Sequence, residues 1–101
     1  MKFEEYEELT IQWAKDRGIV PNAQPYTQLL KAMSELGEVA DCEIKGQHDM
    51  RLWLELGDVL VTLAIYCQFR NVSLSDCLGM AYLKIKDRKG TLMPNGVFVK
   101  E

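Results

Sequence analysis

The chain has 101 residues, 48% hydrophobic and 27% charged, with 12 Lys and Arg against 15 Asp and Glu for a net charge of −3. That is length for one domain with a modest core and the composition of an ordinary soluble globular protein. Neither the charge nor any basic run offers the electrostatic footprint of a nucleic-acid binder. Cys42, Cys67 and Cys77 are odd in number and lack C-x-x-C spacing. A disulfide framework or a zinc site is therefore not expected; small buried or half-buried thiols in a reducing cytoplasm are.

The Glu-rich N-terminus lacks the apolar core of a secretory signal, and no targeting address is visible. Lys2 to Arg17 reads as a first helix, with Tyr6, Leu9 and Trp13 at helical spacing and Gly18 placed to end it. Trp13 reads first as a core residue and second as a ring able to stack on a base. Ile19 to Gln24, holding Pro21 and Asn22, is a connector. Pro25 then suits the first position of a second helix running to about Lys45. Its apolar side would be Tyr26, Leu29, Leu30, Met33, Leu36 and Ala40, beside a polar stripe of Gln28, Lys31, Glu35 and Glu38. Lys31 lies one turn before Glu35, positioned either to pair with that acid or to reach a phosphate.

Gly46-Gln47-His48-Asp49 is a turn, with His48 an exposed loop residue and Asp49 an N-cap for a third helix from about Met50 to Arg70. The long apolar run of this helix is interrupted by Glu55, Asp58 and Thr62, which reads as a core helix too short and too charged to span a bilayer. Its apolar residues wrap most of its circumference. So few helices cannot cover that alone, and a homodimer or homotetramer with a shared core is expected. Ser73 and Asp76 form a capping-box variant that opens a fourth helix, with Leu74, Leu78, Ala81 and Ile85 on one face and Lys84 and Arg88 sharing another. Thr91 to Met93, the turn Pro94-Asn95-Gly96, and Val97 to Val99 read as a small hairpin.

The two helices around the turn carry matching units, Glu35-Leu36-Gly37-Glu38 and Glu55-Leu56-Gly57-Asp58. Residues i and i+3 share a helix face, so each unit aims two acids in one direction. An antiparallel pair would bring all four acids face to face at similar heights from the turn. Like charges held close raise each other's pKa and oppose folding, so a cation belongs there. Carboxylate oxygens suit the hard ions Mg²⁺ and Mn²⁺. A solvated acidic face is the plain alternative, but acids within an otherwise apolar third helix are costly without a partner. Gly37 and Gly57 each cost about 1 kcal/mol inside a helix, which close helix approach would justify.

The pattern Ser34-Glu35-Leu36-Gly37-Glu38, sixteen residues, then Glu55-Leu56-Gly57-Asp58 resembles the MazG-like nucleotide pyrophosphohydrolases of the all-alpha NTP pyrophosphatase superfamily. The resemblance extends to Gln12 through Arg17, to Gln28 and Lys31, and to Lys84 through Gly90 with Gly96 through Lys100. It covers nearly the whole chain as a single domain, residues 1–101. It implies an all-α fold, a four-helix bundle with a short C-terminal β-hairpin and an oligomeric core.

In function it implies hydrolysis of a nucleoside triphosphate to monophosphate and pyrophosphate, with Mg²⁺ or Mn²⁺ held by Glu35, Glu38, Glu55 and Asp58. Lys31, Lys84 and Arg88 become candidate phosphate contacts and Trp13 a substrate contact. No nucleic acid or membrane partner is implied, and the location expected is the cytoplasm. Ser34 stands where the family signature has its first Glu, and Leu83 where similar sequences often have Asn. Those departures leave open a helical interaction module that keeps the fold without turnover. A carboxylate-bridged di-iron protein is disfavoured, since it wants Glu-x-x-His pairs and His48 has Lys45 three residues before it.

Overall fold

A computed structural model describes residues 1–101. In chain order it holds α1 (Phe3–Asp16), a one-turn α2 (Ile19–Asn22), α3 (Pro25–Ile44), α4 (Met50–Phe69), α5 (Leu74–Ile85), β1 (Gly90–Leu92) and β2 (Phe98–Lys100). The four long helices and the hairpin are those the sequence predicts. The connector contains α2, although Val20 leaves helical geometry within it.

Local chemistry sets the helix boundaries. Gly18, at φ +76°, takes the left-handed conformation that turns the chain out of α1. Gly46, also left-handed, ends α3, and the Gln47 N–H reaches back to the Cys42 carbonyl at 2.8 Å. Asn71 ends α4 in the same way, with the Val72 N–H on the Cys67 carbonyl. Asp49 caps α4 by accepting the Arg51 N–H, and Ser73 caps α5 by accepting the Asp76 N–H, both at 3.0 Å. A second cap on α5 comes from far away in sequence: the Glu7 carboxylate accepts the N–H groups of Leu74 and Ser75 and the Ser75 hydroxyl. Glu7 is only 6% exposed, and these donors satisfy it.

The α3 and α4 helices pack along each other, α1 lies on α4, and α5 touches only α1 and α4. The strands pair antiparallel, with Leu92 opposite Phe98, and touch no helix. What lies inside differs from the sequence expectation. The buried or half-buried residues of α3 include Gln28, Ala32, Glu35, Val39 and Cys42, whereas Leu30 and Met33 are 60% and 71% exposed. On α1 the buried stripe is Glu7, Ile11 and Ala14, and Tyr6, Leu9 and Trp13 lie outside it. Small and polar residues, with Ile11 and Ile65, thus line the contact between helices of one chain, and many of the large apolar residues face outward.

Neither Gly37 nor Gly57 has an atom within 4 Å of where a Cβ would stand, so close helix approach within the chain does not explain them. By length and composition alone α4 is apolar enough to cross a membrane, which corrects the judgement that it is too short. Its packing against α3, with Glu55 on the half-buried side, is that of a core helix. Cys42 and Cys67 are buried. Burial, then the neighbouring Cys77, pushes the Cys67 thiol up to about 11, which keeps it protonated at neutral pH.

Candidate metal centre

The cap at Asp49 and the Gly46 turn place α4 beside α3 in a defined register. Glu38 meets Arg51 near the turn, and Glu35 meets Glu55 and Asp58 farther from it, so the two helices run antiparallel. Carboxylate oxygens of Glu35, Glu55 and Asp58 lie within 4.8 Å of one another. Glu35 and Glu55 are half-buried and Asp58 is exposed, so the cluster opens to solvent on the Asp58 side.

The fourth acid stands beside this group rather than in it. Oε2 of Glu38 lies 3.8 Å from Nη2 of Arg51, a half-exposed ion pair. Its charge is still felt: partial desolvation, then Glu35, Glu38 and Asp58, raise the pKa of Glu55, and Arg51 opposes them. The repulsion anticipated from the sequence is therefore present. Three hard oxygen donors from two helices, with excess negative charge, fit Mg²⁺ or Mn²⁺ completed by water or phosphate oxygens.

A cavity of about 440 Å³ adjoins the cluster, lined by Tyr6, Leu9, Thr10 and Trp13 of α1 and by Asp58 and Val61 of α4. Trp13 is thus on a cavity wall and not in the core. Its ring also carries the Arg17 guanidinium 4.4 Å from the centroid, and Arg17 donates to the Trp13 carbonyl. The sequence reading missed Tyr6 and Arg17 as site residues. The i, i+3, i+7 spacing of Tyr6, Leu9 and Trp13 was the signal, read as core because it is apolar. It also missed Arg51, whose place two residues after the Asp49 cap points it along the first turn of α4.

The expected basic residues are not gathered at the acids. Lys31 is exposed and makes no ion pair with Glu35. Because α5 ends at Ile85, Arg88 lies beyond the helix and shares no helical face with Lys84. The two do border one depression, of about 470 Å³, with Asp87, Lys89, Lys100 and Glu101. His48 is exposed, as expected, and meets Glu43 at 2.8 Å.

Comparison with curated proteins and with solved structures gives no significant match. The family model described as MazG nucleotide pyrophosphohydrolase domain matches residues 24–93, a span that holds all four acids together with α3, α4 and α5. On that match, which covers more than half of the chain, the chain belongs to the MazG nucleotide pyrophosphohydrolase family.

Proposed function

We propose that this protein hydrolyses a nucleoside triphosphate to the monophosphate and pyrophosphate with the help of Mg²⁺ or Mn²⁺. The observation that carries the reading is the convergence of Glu35, Glu55 and Asp58, the last of which also lines a cavity walled by Tyr6 and Trp13. Glu35, Glu38, Glu55 and Asp58 would hold the metal. When bound, it would stabilise charge on the phosphates and lower the pKa of an attacking water.

The chain's own residues supply position and charge. The half-buried Glu35 and Glu55 fix the acidic end of the site on two packed helices, and Asp58 links it to the cavity. Trp13 and Tyr6 offer flat faces on which a base can stack, leaving the triphosphate to extend toward the acids. Lys31, Lys84 and Arg88 would neutralise phosphate oxygens as the bridge between the α and β phosphates breaks. The working form is a homodimer or homotetramer, acting in the cytoplasm on free nucleotides, with neither nucleic acid nor membrane as partner.

The departures at Ser34 and Leu83 favour the second reading, a helical module that binds without turnover. Both residues are exposed. A panel of ordinary and modified nucleoside triphosphates, incubated with Mg²⁺ or Mn²⁺ and assayed for pyrophosphate, separates the two. Metal-dependent release from at least one of them is the expected result; binding without release would establish the module instead.

A further inference from the structure

Gly57 stands within α4, between Glu55 and Asp58. Glycine inside a helix is costly relative to alanine, because it gives up the most backbone freedom on folding. No turn demands it here, since its backbone is helical and not left-handed as at Gly18, Gly46 and Gly96. Nor does packing, since nothing lies within 4 Å of where a Cβ would stand. What the missing side chain leaves is space.

That space belongs to a groove between α1 and α4. A compartment of about 350 Å³ is walled by Phe3, Tyr6 and Thr10 on one helix and by Gly57, Leu60 and Val61 on the other. Tyr6, Thr10 and Val61 also wall the cavity of about 440 Å³ that Trp13 and Asp58 border, so the two are neighbouring compartments of one groove. Along α1 the groove runs from Phe3 to Trp13, roughly 15 Å at about 1.5 Å per residue. Each compartment falls in the range of about 300–1,000 Å³ usual for small-molecule sites.

The walls are mostly apolar or aromatic, and their polar groups are occupied. Thr10 donates its hydroxyl proton to the Tyr6 carbonyl at 2.9 Å. Glu7 borders the Gly57 compartment, but its carboxylate is taken up by Leu74 and Ser75 of α5. Asp58, next to Gly57 in sequence, borders the other compartment and belongs to the acidic cluster. A ligand that suits this groove has an anionic end for a metal at the acids and a flat body for the apolar walls. A nucleoside triphosphate has both.

We propose that Gly57 is a specificity-determining residue: its missing side chain opens the inner compartment to the nucleoside of a substrate whose phosphates lie at the acids, so that the size of residue 57 limits the nucleoside that fits. The inference rests on the pyrophosphohydrolase reading for the identity of the ligand and on the α1–α4 groove for the place it takes.

Gly57→Ala tests it, because stability and activity should move in opposite directions. With no atom in its way, the added methyl relieves the helix of a glycine, and the metal-free melting temperature should rise by a few degrees. The same methyl narrows the groove. On every nucleotide the parent hydrolyses, kcat/KM should fall about tenfold, mainly through KM, which is the scale of one methylene in an apolar pocket. Gly57→Leu should lose more. Gly37→Ala is the control: Gly37 holds the matching place between Glu35 and Glu38, also with nothing within 4 Å of its Cβ position, but α3 does not touch α1. It should keep the parent's KM. Parental KM in Gly57→Ala overturns the proposal, as does an equal loss in Gly37→Ala, which would trace the effect to the acidic units and not to the groove. A Gly57→Ala chain that melts below the parent also overturns it, since the space would then be filled by packing. If the parent releases no pyrophosphate from any nucleotide, the turnover reading fails and the groove is judged by calorimetric titration with dATP and Mg²⁺. Binding that Gly57→Ala weakens about tenfold supports it; equal binding, or none to the parent, rejects it.

Discussion

Arg51 reaches across the α3–α4 pair to Glu38, Nη2 to Oε2 at 3.8 Å, and so ties up one acid of the four while Glu35, Glu55 and Asp58 face one another. The pair is half-exposed, which limits its contribution to stability to about 1 kcal/mol or less. Its larger effect is on the site. Arg51 lowers the pKa of Glu55 and repels any cation the acids attract.

Replacing Arg51 with Gln removes this resident cation. The metal-free melting temperature should change little. Affinity for Mn²⁺, measured by titration calorimetry at low salt, should rise by up to roughly tenfold, the scale of a unit-charge repulsion at short range in water. Weaker Mn²⁺ binding in the variant would mean that Arg51 orders the acids instead of competing at the site.

Glu55→Gln separates a metal-binding cluster from a structural one. The pKa of Glu55 is raised in the fold, so the protonated form is favoured by folding; the variant removes the repulsion and should melt no lower than the parent without metal. The sign fixes the pH dependence. In the parent, stability from this group is full below the ordinary carboxylate value of 4.5 and is lost as pH rises through the raised folded value. Affinity for divalent metal grows over the same interval, because the ligand must be deprotonated. Melts across pH 4 to 8 on parent and variant, with and without Mn²⁺, should show the parent's metal-free decline abolished in Glu55→Gln and its metal-induced stabilisation much reduced. A variant that melts well below the parent without metal and responds normally to Mn²⁺ refutes the site.

Trp13→Ala addresses the cavity. If the indole stacks on the base, its loss should cost about 1–3 kcal/mol of binding, or roughly 5- to 150-fold in KM, with a much smaller change in kcat. Trp13→Phe should recover most of that. Trp13 is half-exposed, so neither variant should lower the melting temperature by much. Unchanged KM for every nucleotide the parent hydrolyses would return Trp13 to a packing role with Arg17.

Where helices begin and end was legible because short-range chemistry decides it: Asp49 and Ser73 cap, Gly18 and Gly46 turn. The acidic cluster was legible because i, i+3 spacing on two helices around one turn leaves few other arrangements. Less legible was the side of each helix that meets its own chain. Leu30, Met33, Tyr6 and Trp13 read as core, yet the chain buries Gln28, Ala32, Ile11 and Ala14 instead. A hydrophobic stripe says that a face will be covered without saying which molecule covers it. Lys84 and Arg88 were read as one face because the basic run looks helical through Gly90; α5 stops at Ile85, and the two instead border one depression beyond the helix end.

The clamp from Glu7 to the start of α5 has a consequence for the order in which the protein folds. The α3–α4 pair joins segments close in sequence and closes across a short turn, whereas Glu7 must find backbone groups at Leu74 and Ser75, more than sixty residues away. Contacts of such separation are late and slow to form, since the intervening chain gives up its freedom before they reward it. During synthesis α1 is made before α5, the last of the five helices, so the Glu7 carboxylate cannot take these partners until α5 exists. The hydrogen bonds that begin α5 therefore close a long loop of chain, at a cost that falls once α3 and α4 between them have paired.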